Sequence, residues 1–297
     1  MKPADFDYFA PGNLDTALEF VAFSPSDTRV LAGGQSLLPL MKARLVSPAA
    51  VVDLGRIQGL DRIEVRNGAL HLGAMTSQSR ALVSETVRTR APLLARALHL
   101  VGSPAIRSRG TVGGSAAHAD PAAEIPAVLI ALDATLVAAG PARTREIPAA
   151  SFYTYAYETT LADGEIVTRL DIPVGTNHGD TGVSFHEIAI PSHNFALAGA
   201  AVSVTIDDGA MRDVRIGLCG LGPTPLRACE AEALAEGSVP TGGVIDRVSR
   251  AATSVIDPVD DVLASASYRR DLAPVVVRRA LLEALADAGH CPEGVLR

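Results

Sequence analysis

Cysteine is scarce: Cys219, Cys229 and Cys291 are the three in 297 residues. Their odd number and wide spacing argue against a disulfide framework, and no C-x-x-C or C-x4-C run offers thiolates to zinc or an iron–sulfur cluster. If the chain handles electrons, the metal centres are held elsewhere. Positive charge is also short. Against 33 Asp and Glu stand 26 Lys and Arg, a formal net charge of −7, and no basic run offers nucleic acid a partner. Long apolar stretches are missing too. The most continuous, residues 127–139, contains Asp133 and falls short of the roughly 20 residues that span a bilayer. The opening Met1-Lys2-Pro3-Ala4-Asp5-Phe6-Asp7 lacks the apolar region of a secretory signal, so a cytoplasmic location is expected. No G-x-G-x-x-G follows a strand, no H-x-x-x-H spacing occurs, and no nucleophile–base–orienter set or carboxylate pair is placed for acid–base work.

What is present is largely apolar. Hydrophobic residues make up 48% and charged ones 20%, enough to bury a large core, and the length suits about two domains. Leu14, Ala17, Leu18 and Val21 recur at helical spacing and predict a helix over 15–23 with Asp15 as N-cap. Strands are expected at 29–32 and 50–54. A hairpin is expected from 62–65 and 69–72 around Asn67-Gly68. Next come a polar turn into a helix at 75–81, a helix at 91–100, a helix end plus strand at 131–139, and a strand at 165–172 closed by Pro173. The polar stretch between Pro173 and Gly182 reads as a domain boundary. Beyond it, strands at 196–206 and 211–218 flank the turn Asp207-Asp208-Gly209, and helices follow at 226–234, 244–255 and 275–288. The glycines of 217–223 read as a turn.

Two glycine pairs carry the most information. Ala32-Gly33-Gly34-Gln35-Ser36 follows the strand ending at Leu31 and opens a helix at Leu37. Gly110-Thr111-Val112-Gly113-Gly114-Ser115-Ala116-Ala117-His118-Ala119-Asp120-Pro121 precedes the apolar run 125–132. A glycine pair lets backbone N–H groups converge on one point without Cβ crowding, which suits a phosphate oxygen. A helix starting there adds unpaired N–H groups and the positive end of its dipole. One such loop suits a mononucleotide; two suit the two phosphates of a dinucleotide. Tight turns without a ligand are the alternative. Ser36, Thr111 and Ser115 offer hydroxyls either to phosphate or as N-caps, and Gln35 offers both donor and acceptor.

Taken in order with their flanks, these loops resemble the FAD-binding medium subunit of the molybdenum hydroxylases, the family of carbon monoxide dehydrogenase and xanthine dehydrogenase. The resemblance extends through Met1-Lys2-Pro3 with Phe6-Asp7-Tyr8, residues 31–42, 107–121 and 165–173, and Ser267-Tyr268-Arg269-Arg270. It implies an α+β fold. A two-lobed FAD-binding domain of the p-cresol-methylhydroxylase type would span 1–176. A small C-terminal domain, a three-stranded antiparallel sheet plus helices, would span 177–297. FAD would lie between the lobes, its pyrophosphate meeting backbone N–H groups of 32–36 and 111–115. Carried over residue by residue, the cofactor contacts are Leu31, Ala32, Gly33, Gly34, Gln35, Ser36, Leu37, Val101, Thr111, Gly113, Gly114, Ser115, Ala117, His118, Glu124, Val167 and His186. No residue is assigned to catalysis or metal binding.

Glu124 matches an acidic position that accepts from a ribose or ribityl hydroxyl; a solvated first-turn carboxylate is the alternative. His118 either stabilises its turn or touches the flavin, Asp120 reads as a turn residue, and Arg107 and Arg109 either neutralise pyrophosphate or face solvent. His186 and Glu187 fall where relatives place a polar contact to the flavin ring region. The family role is a relay: FAD takes electrons from two 2Fe-2S clusters on a small subunit and passes them to an external acceptor. The molybdenum-pterin cofactor sits on a large subunit, in a dimer of heterotrimers. Substrate choice would lie on that other chain, leaving carbon monoxide, a purine, a pyridine derivative or an aldehyde open. A stand-alone flavoprotein oxidoreductase and a non-catalytic nucleotide-binding scaffold are the competing readings. This chain departs from the family at Ser108, and more strongly at Ile190, Pro191 and Asn194, where relatives carry arginines and an aspartate.

Overall fold

The computed structural model describes residues 2–175, 180–190 and 195–291. The first lobe is built from β1 (Asp7–Phe9), α1 (Leu14–Phe23), β2 (Thr28–Leu31), α2 (Leu37–Ala43) and β3 (Ala50–Asp53), with an all-parallel sheet in the order β1-β3-β2. Ala17, Leu18 and Val21 form the buried face of α1 and pack in one cluster with Val52 and Leu54. The cap of α1 is Asn13 and not Asp15: the Asn13 side chain accepts the Thr16 N–H at 2.9 Å. Leu14 already packs against that core, so the helix starts one residue ahead of the expected cap.

The second lobe opens with β4 (Ile63–Arg66) and β5 (Ala69–Gly73). Asn67 and Gly68 between them hold φ of 52° and 75°, the left-handed pair that a two-residue hairpin demands. Six helices follow: α3 (Gln78–Val83), α4 (Glu85–Arg90), α5 (Pro92–Leu98), α6 (Pro104–Arg109), α7 (Val112–His118) and α8 (Glu124–Ala131). Then come β6 (Thr135–Ala139), β7 (Thr144–Pro148), the short pair β8 (Tyr153–Tyr155) and β9 (Glu158–Thr159), and β10 (Ile166–Pro173). An antiparallel sheet runs β4-β5-β10-β6-β7. Leu70, Leu72, Leu136, Leu170 and Ile172 from it share a core with Leu93, Leu94 and Leu98 of α5 and with α8. Ser84, Ser103 and Thr111 cap α4, α6 and α7, short helices that periodicity does not reveal.

Beyond the lobes, β11 (Asp180–Ala189), β12 (Ala196–Asp207) and β13 (Ala210–Cys219) form three long antiparallel strands, and the two-residue β14 (Leu226–Arg227) extends the edge beside β13. α9 (Cys229–Ala235), α10 (Gly242–Ala251) and α11 (Ala266–Asp287) complete this part. The helix expected from 226 begins at Cys229, because Leu226 pairs with Leu218 and Arg227 with Gly217. The helix expected over 275–288 starts at Ala266 and runs through Pro274. Pro274 removes one helical N–H, yet the early turns are anchored. Ser265 caps them, and the buried Arg269 guanidinium donates to Leu197 O at 2.6 Å and Gly220 O at 3.1 Å. The turn read from the 217–223 glycines is present: β13 ends at Cys219 and Gly220 takes φ +73°.

The two lobes and the C-terminal sheet meet along α8, whose 8 residues are all buried. A Cβ on Gly217 of β13 would lie 2.2 Å from Ala127 O of α8, so helix and strand touch backbone to backbone. Asp133 pairs with Arg215 and Arg227, and Arg227 Nε meets Glu232 at 2.7 Å. The boundary expected at 176 lies outside the described residues. Among those described, no helix is long and apolar enough to cross a membrane, and no three or more His, Cys, Asp or Glu gather as metal ligands.

Candidate cofactor-binding site

Residues 32–36 turn from the end of β2 into α2, with Gly34 at φ +73°. Among the described residues, the N–H groups of Gly33, Gly34, Gln35 and Ser36 find no protein acceptor. The Gln35 amide folds back to donate to Gly33 O at 3.1 Å, and the Ser36 hydroxyl does not cap α2. The second glycine loop packs directly on the first. A Cβ on Gly33 would sit 2.2 Å from Arg109 O and 2.7 Å from Gly110 Cα, and one on Gly114 would sit 3.3 Å from Ala32 Cβ. Two segments distant in sequence thus become one surface.

Their donors are not equivalent. Gly113 and Gly114 lie in the first turn of α7, where Val112 N–H donates to Thr76 O, Gly113 N–H to Ala74 O, Gly114 N–H to Thr111 Oγ1 and Ser115 N–H to Thr111 O. The expectation that the amides of 111–115 face a phosphate is corrected for these four. In this loop glycine is needed for close packing: a Cβ on Gly113 would fall 2.3 Å from Ala74 Cβ. Thr111 is the cap of α7, and Ser115 keeps a free hydroxyl. Two orphaned polar atoms flank the same turn. Thr76 Oγ1 and Gln78 Oε1 are buried without a partner, the latter 2.6 Å from where a Gly110 Cβ would be. No signal in the sequence marks either residue.

Glu124 opens α8 and is 6% exposed, which overturns the solvated alternative. Burial, with the nearby Glu187 and Asp120 carboxylates adding to it, pushes its carboxyl up to about 8. Neutral at pH 7, it can donate as well as accept. Since the folded value lies above the ordinary 4.5, its contribution to stability is full below that ordinary value and is lost as pH rises toward 8. Glu124→Gln in cofactor-free protein is therefore expected to match the parent near pH 5 and exceed it by about 2–4 kcal/mol at pH 8–9. Denaturant titrations across that range check this; a pH-independent difference would count against it.

The other expected residues separate into groups. Leu31 and Leu37 bracket the first loop, and Ala117 packs against the main core from α7. Val167 is buried in that core beside a register shift in β10, where Thr168 O accepts the Ala74 N–H, and Ala74 O in turn holds Gly113. Val101 is buried as well. Its carbonyl accepts from Arg107 at 2.8 Å, as does Gly102 O, so the Arg107 guanidinium is committed to its own turn. His118 ends α7 with its ring 5.1 Å from Tyr157, whose N–H donates to Ala119 O; burial lowers its pKa, against the pull of the Asp120 carboxylate. Asp120 is the turn residue expected, Oδ1 accepting the Ala122 N–H at 2.9 Å. His186 Nδ1 pairs with Glu283 of α11 at 2.9 Å. Strand alternation sends its neighbour Glu187 to the opposite face. Ile190 packs against the C-terminal core, while Pro191 and Asn194 lie outside the described residues.

An anionic dinucleotide fits this surface: four unpaired amides, the free hydroxyls of Ser36 and Ser115, and a buried carboxyl at the start of α8. Comparison with known proteins agrees. Residues 4–175 match the FAD binding domain in molybdopterin dehydrogenase, and 183–284 the CO dehydrogenase flavoprotein C-terminal domain. The chain belongs to this family of FAD-binding medium subunits. It is 36% identical over 296 residues, 99% of each chain, to the 6-hydroxypseudooxynicotine dehydrogenase complex subunit alpha of Paenarthrobacter nicotinovorans. Among solved structures, a carbon monoxide dehydrogenase of Hydrogenophaga pseudoflava superposes with a TM-score of 0.93 at 35% identity, covering 97% of this chain and 99% of the other. Quinoline 2-oxidoreductase of Pseudomonas putida 86 gives 0.91 at 34% identity, covering 97% and 99%. The medium subunit therefore carries the two-lobed FAD-binding domain and the flavoprotein C-terminal domain of a molybdenum hydroxylase complex.

Proposed function

We propose that this medium subunit holds FAD across the contact of its two glycine loops and relays electrons from 2Fe-2S clusters of a small partner subunit to an external acceptor. The observation that carries the reading is the packing of Gly33 on Arg109 and Gly110 beside four amides without acceptors. The N–H groups of residues 33–36 take the pyrophosphate, supported by the positive end of the helix that follows. The hydroxyls of Ser36, Thr111 and Ser115 add donors. Glu124, kept neutral by burial, pairs with a sugar or ribityl hydroxyl. Thr76 and Gln78 hold the second loop in register from behind. When bound, FAD supplies the conversion between one-electron and two-electron transfer.

The molybdenum-pterin cofactor belongs to a large subunit that chooses the substrate, in a dimer of heterotrimers in the cytoplasm. Relatives named for 6-hydroxypseudooxynicotine, carbon monoxide and quinoline support a shared flavin module serving different large subunits. The domains are assigned as 1–176 and 177–297. Purified chain is expected to be yellow and to release about one FAD per polypeptide on denaturation. Coexpression with a molybdopterin-type and a cluster-type subunit is expected to yield one complex. A colourless protein would overturn FAD binding; turnover of an organic substrate by the isolated chain would favour a stand-alone flavoenzyme.

A further inference from the structure

Glu187 has no place in the cradle as described, yet it does not face solvent freely. It leaves β11 on the side opposite His186, toward the corner where β12 and β13 meet α8. Gly199 of β12 is the gap that admits it: a Cβ there would lie 2.7 Å from Cys219 Sγ and 3.4 Å from Glu187 Cβ. Gly220 N–H donates to Pro121 O at 2.8 Å, and Gly217 abuts Ala127, so the start of α8 is pressed against the same corner. Glu124 stands there, and no other residue gives it a hydrogen bond. Glu187 Oε2 is likewise buried and unpartnered.

The charges acting on Glu124 are Glu187 and Asp120, and both carboxyls act on the buried Cys219 thiol. His118, from the end of α7, and Tyr157, from the turn joining β8 and β9, interact with Asp120 instead. Arg279 and Glu283 of α11 engage His186 across the strand. No cation among the described residues compensates the pair. Two carboxylates in one poorly solvated corner resist ionising together.

We propose that Glu124 and Glu187 form a proton store coupled to the flavin site, taking up one additional proton from solvent when an electron pair arrives there and releasing it when the pair leaves. The proposal rests on the FAD reading. Only a carboxyl O–H bond forms or breaks; the electrons come from the partner clusters, or from the electrode in a titration. Burial raises the Glu187 carboxyl to about 7 and Glu124 to about 8, so the exchange belongs to neutral and mildly alkaline solution.

The test is spectroelectrochemical titration of the FAD-loaded chain from pH 6 to 9.5, in the parent and in Glu187→Gln and Glu187→Asp. Above pH 7 the parent potential is expected to fall more steeply than that of Glu187→Gln, by one proton per electron pair, about 30 mV per pH unit. Glu187→Asp should restore the extra slope, and FAD content should be equal in all three. Parallel slopes in yellow protein would overturn the proton store alone; colourless parent protein would overturn the FAD reading and this proposal with it. Should Glu187→Gln fail to fold, the reduced-minus-oxidised infrared spectrum of the parent near pH 8.5 decides. A carboxylic-acid carbonyl band that grows on reduction supports the proposal, and its absence overturns it.

Discussion

Gly33→Ala is expected to give a folded chain that retains less than a tenth of the parent's FAD. The added methyl would lie 2.2 Å from Arg109 O and 2.7 Å from Gly110 Cα, distances no carbon tolerates. Both neighbours are backbone, so no side-chain rotation relieves the overlap, and the two glycine loops must part. The free amides of 33–36 then lose their alignment with the second loop. The rest of each lobe is spared, because the main core and the α1 core are separate clusters that do not include Gly33. FAD released per polypeptide and the far-ultraviolet circular dichroism spectrum together read the outcome. Near-stoichiometric flavin in Gly33→Ala would refute the placement. Gly114→Val should lose FAD as well, since a Cβ there meets the capping Thr111 Oγ1 at 2.7 Å. Gly12→Ala, with open space at its Cβ, should bind FAD like the parent.

Gly217→Ala is expected to destabilise the chain strongly. Its methyl would meet Ala127 O at 2.2 Å and Ala131 Cβ at 3.1 Å, driving β13 away from a helix buried along its whole length. Overpacking against side chains costs about 1–3 kcal/mol; against backbone that belongs to the central core, the upper end is expected. A loss of about 3 kcal/mol corresponds to a fall in Tm of roughly 6–12 °C. Separation at this seam also strains the ion pairs of Asp133 with Arg215 and Arg227, so coexpressed Gly217→Ala should recover less intact complex. Unchanged Tm and assembly would show that α8 and the C-terminal sheet dock less tightly than their backbones indicate.

The legible parts of the fold were those with local causes. Asn67-Gly68 demands its hairpin through backbone conformation, Asp120 its turn through a side chain two residues from its partner, and Gly220 the end of β13 through a positive φ. The apolar repeat of α1 marked its buried face. The misplaced boundaries have long-range causes. The early start of α11 depends on Arg269 reaching Leu197 and Gly220 across the sheet, and β14 exists because Leu226 finds Leu218. The site divides in the same way. Glycine spacing pointed to both loops, but the amides of 112–115 are spent on Thr76, Ala74 and Thr111. Glu124 was found through the family resemblance, while Gln78, Thr76 and the direction of Glu187 were not marked.

From its order of residues the protein's family and its two glycine loops follow directly, because motif order and residue type need no third dimension. Tertiary structure alone decided which amides remain free, that Gly33 rests on Gly110, and that Glu124 and Glu187 share a corner with Cys219. Hydrogen-bond satisfaction and burial belong to contacts between distant segments, and no local pattern in the chain encodes which partner each group will meet.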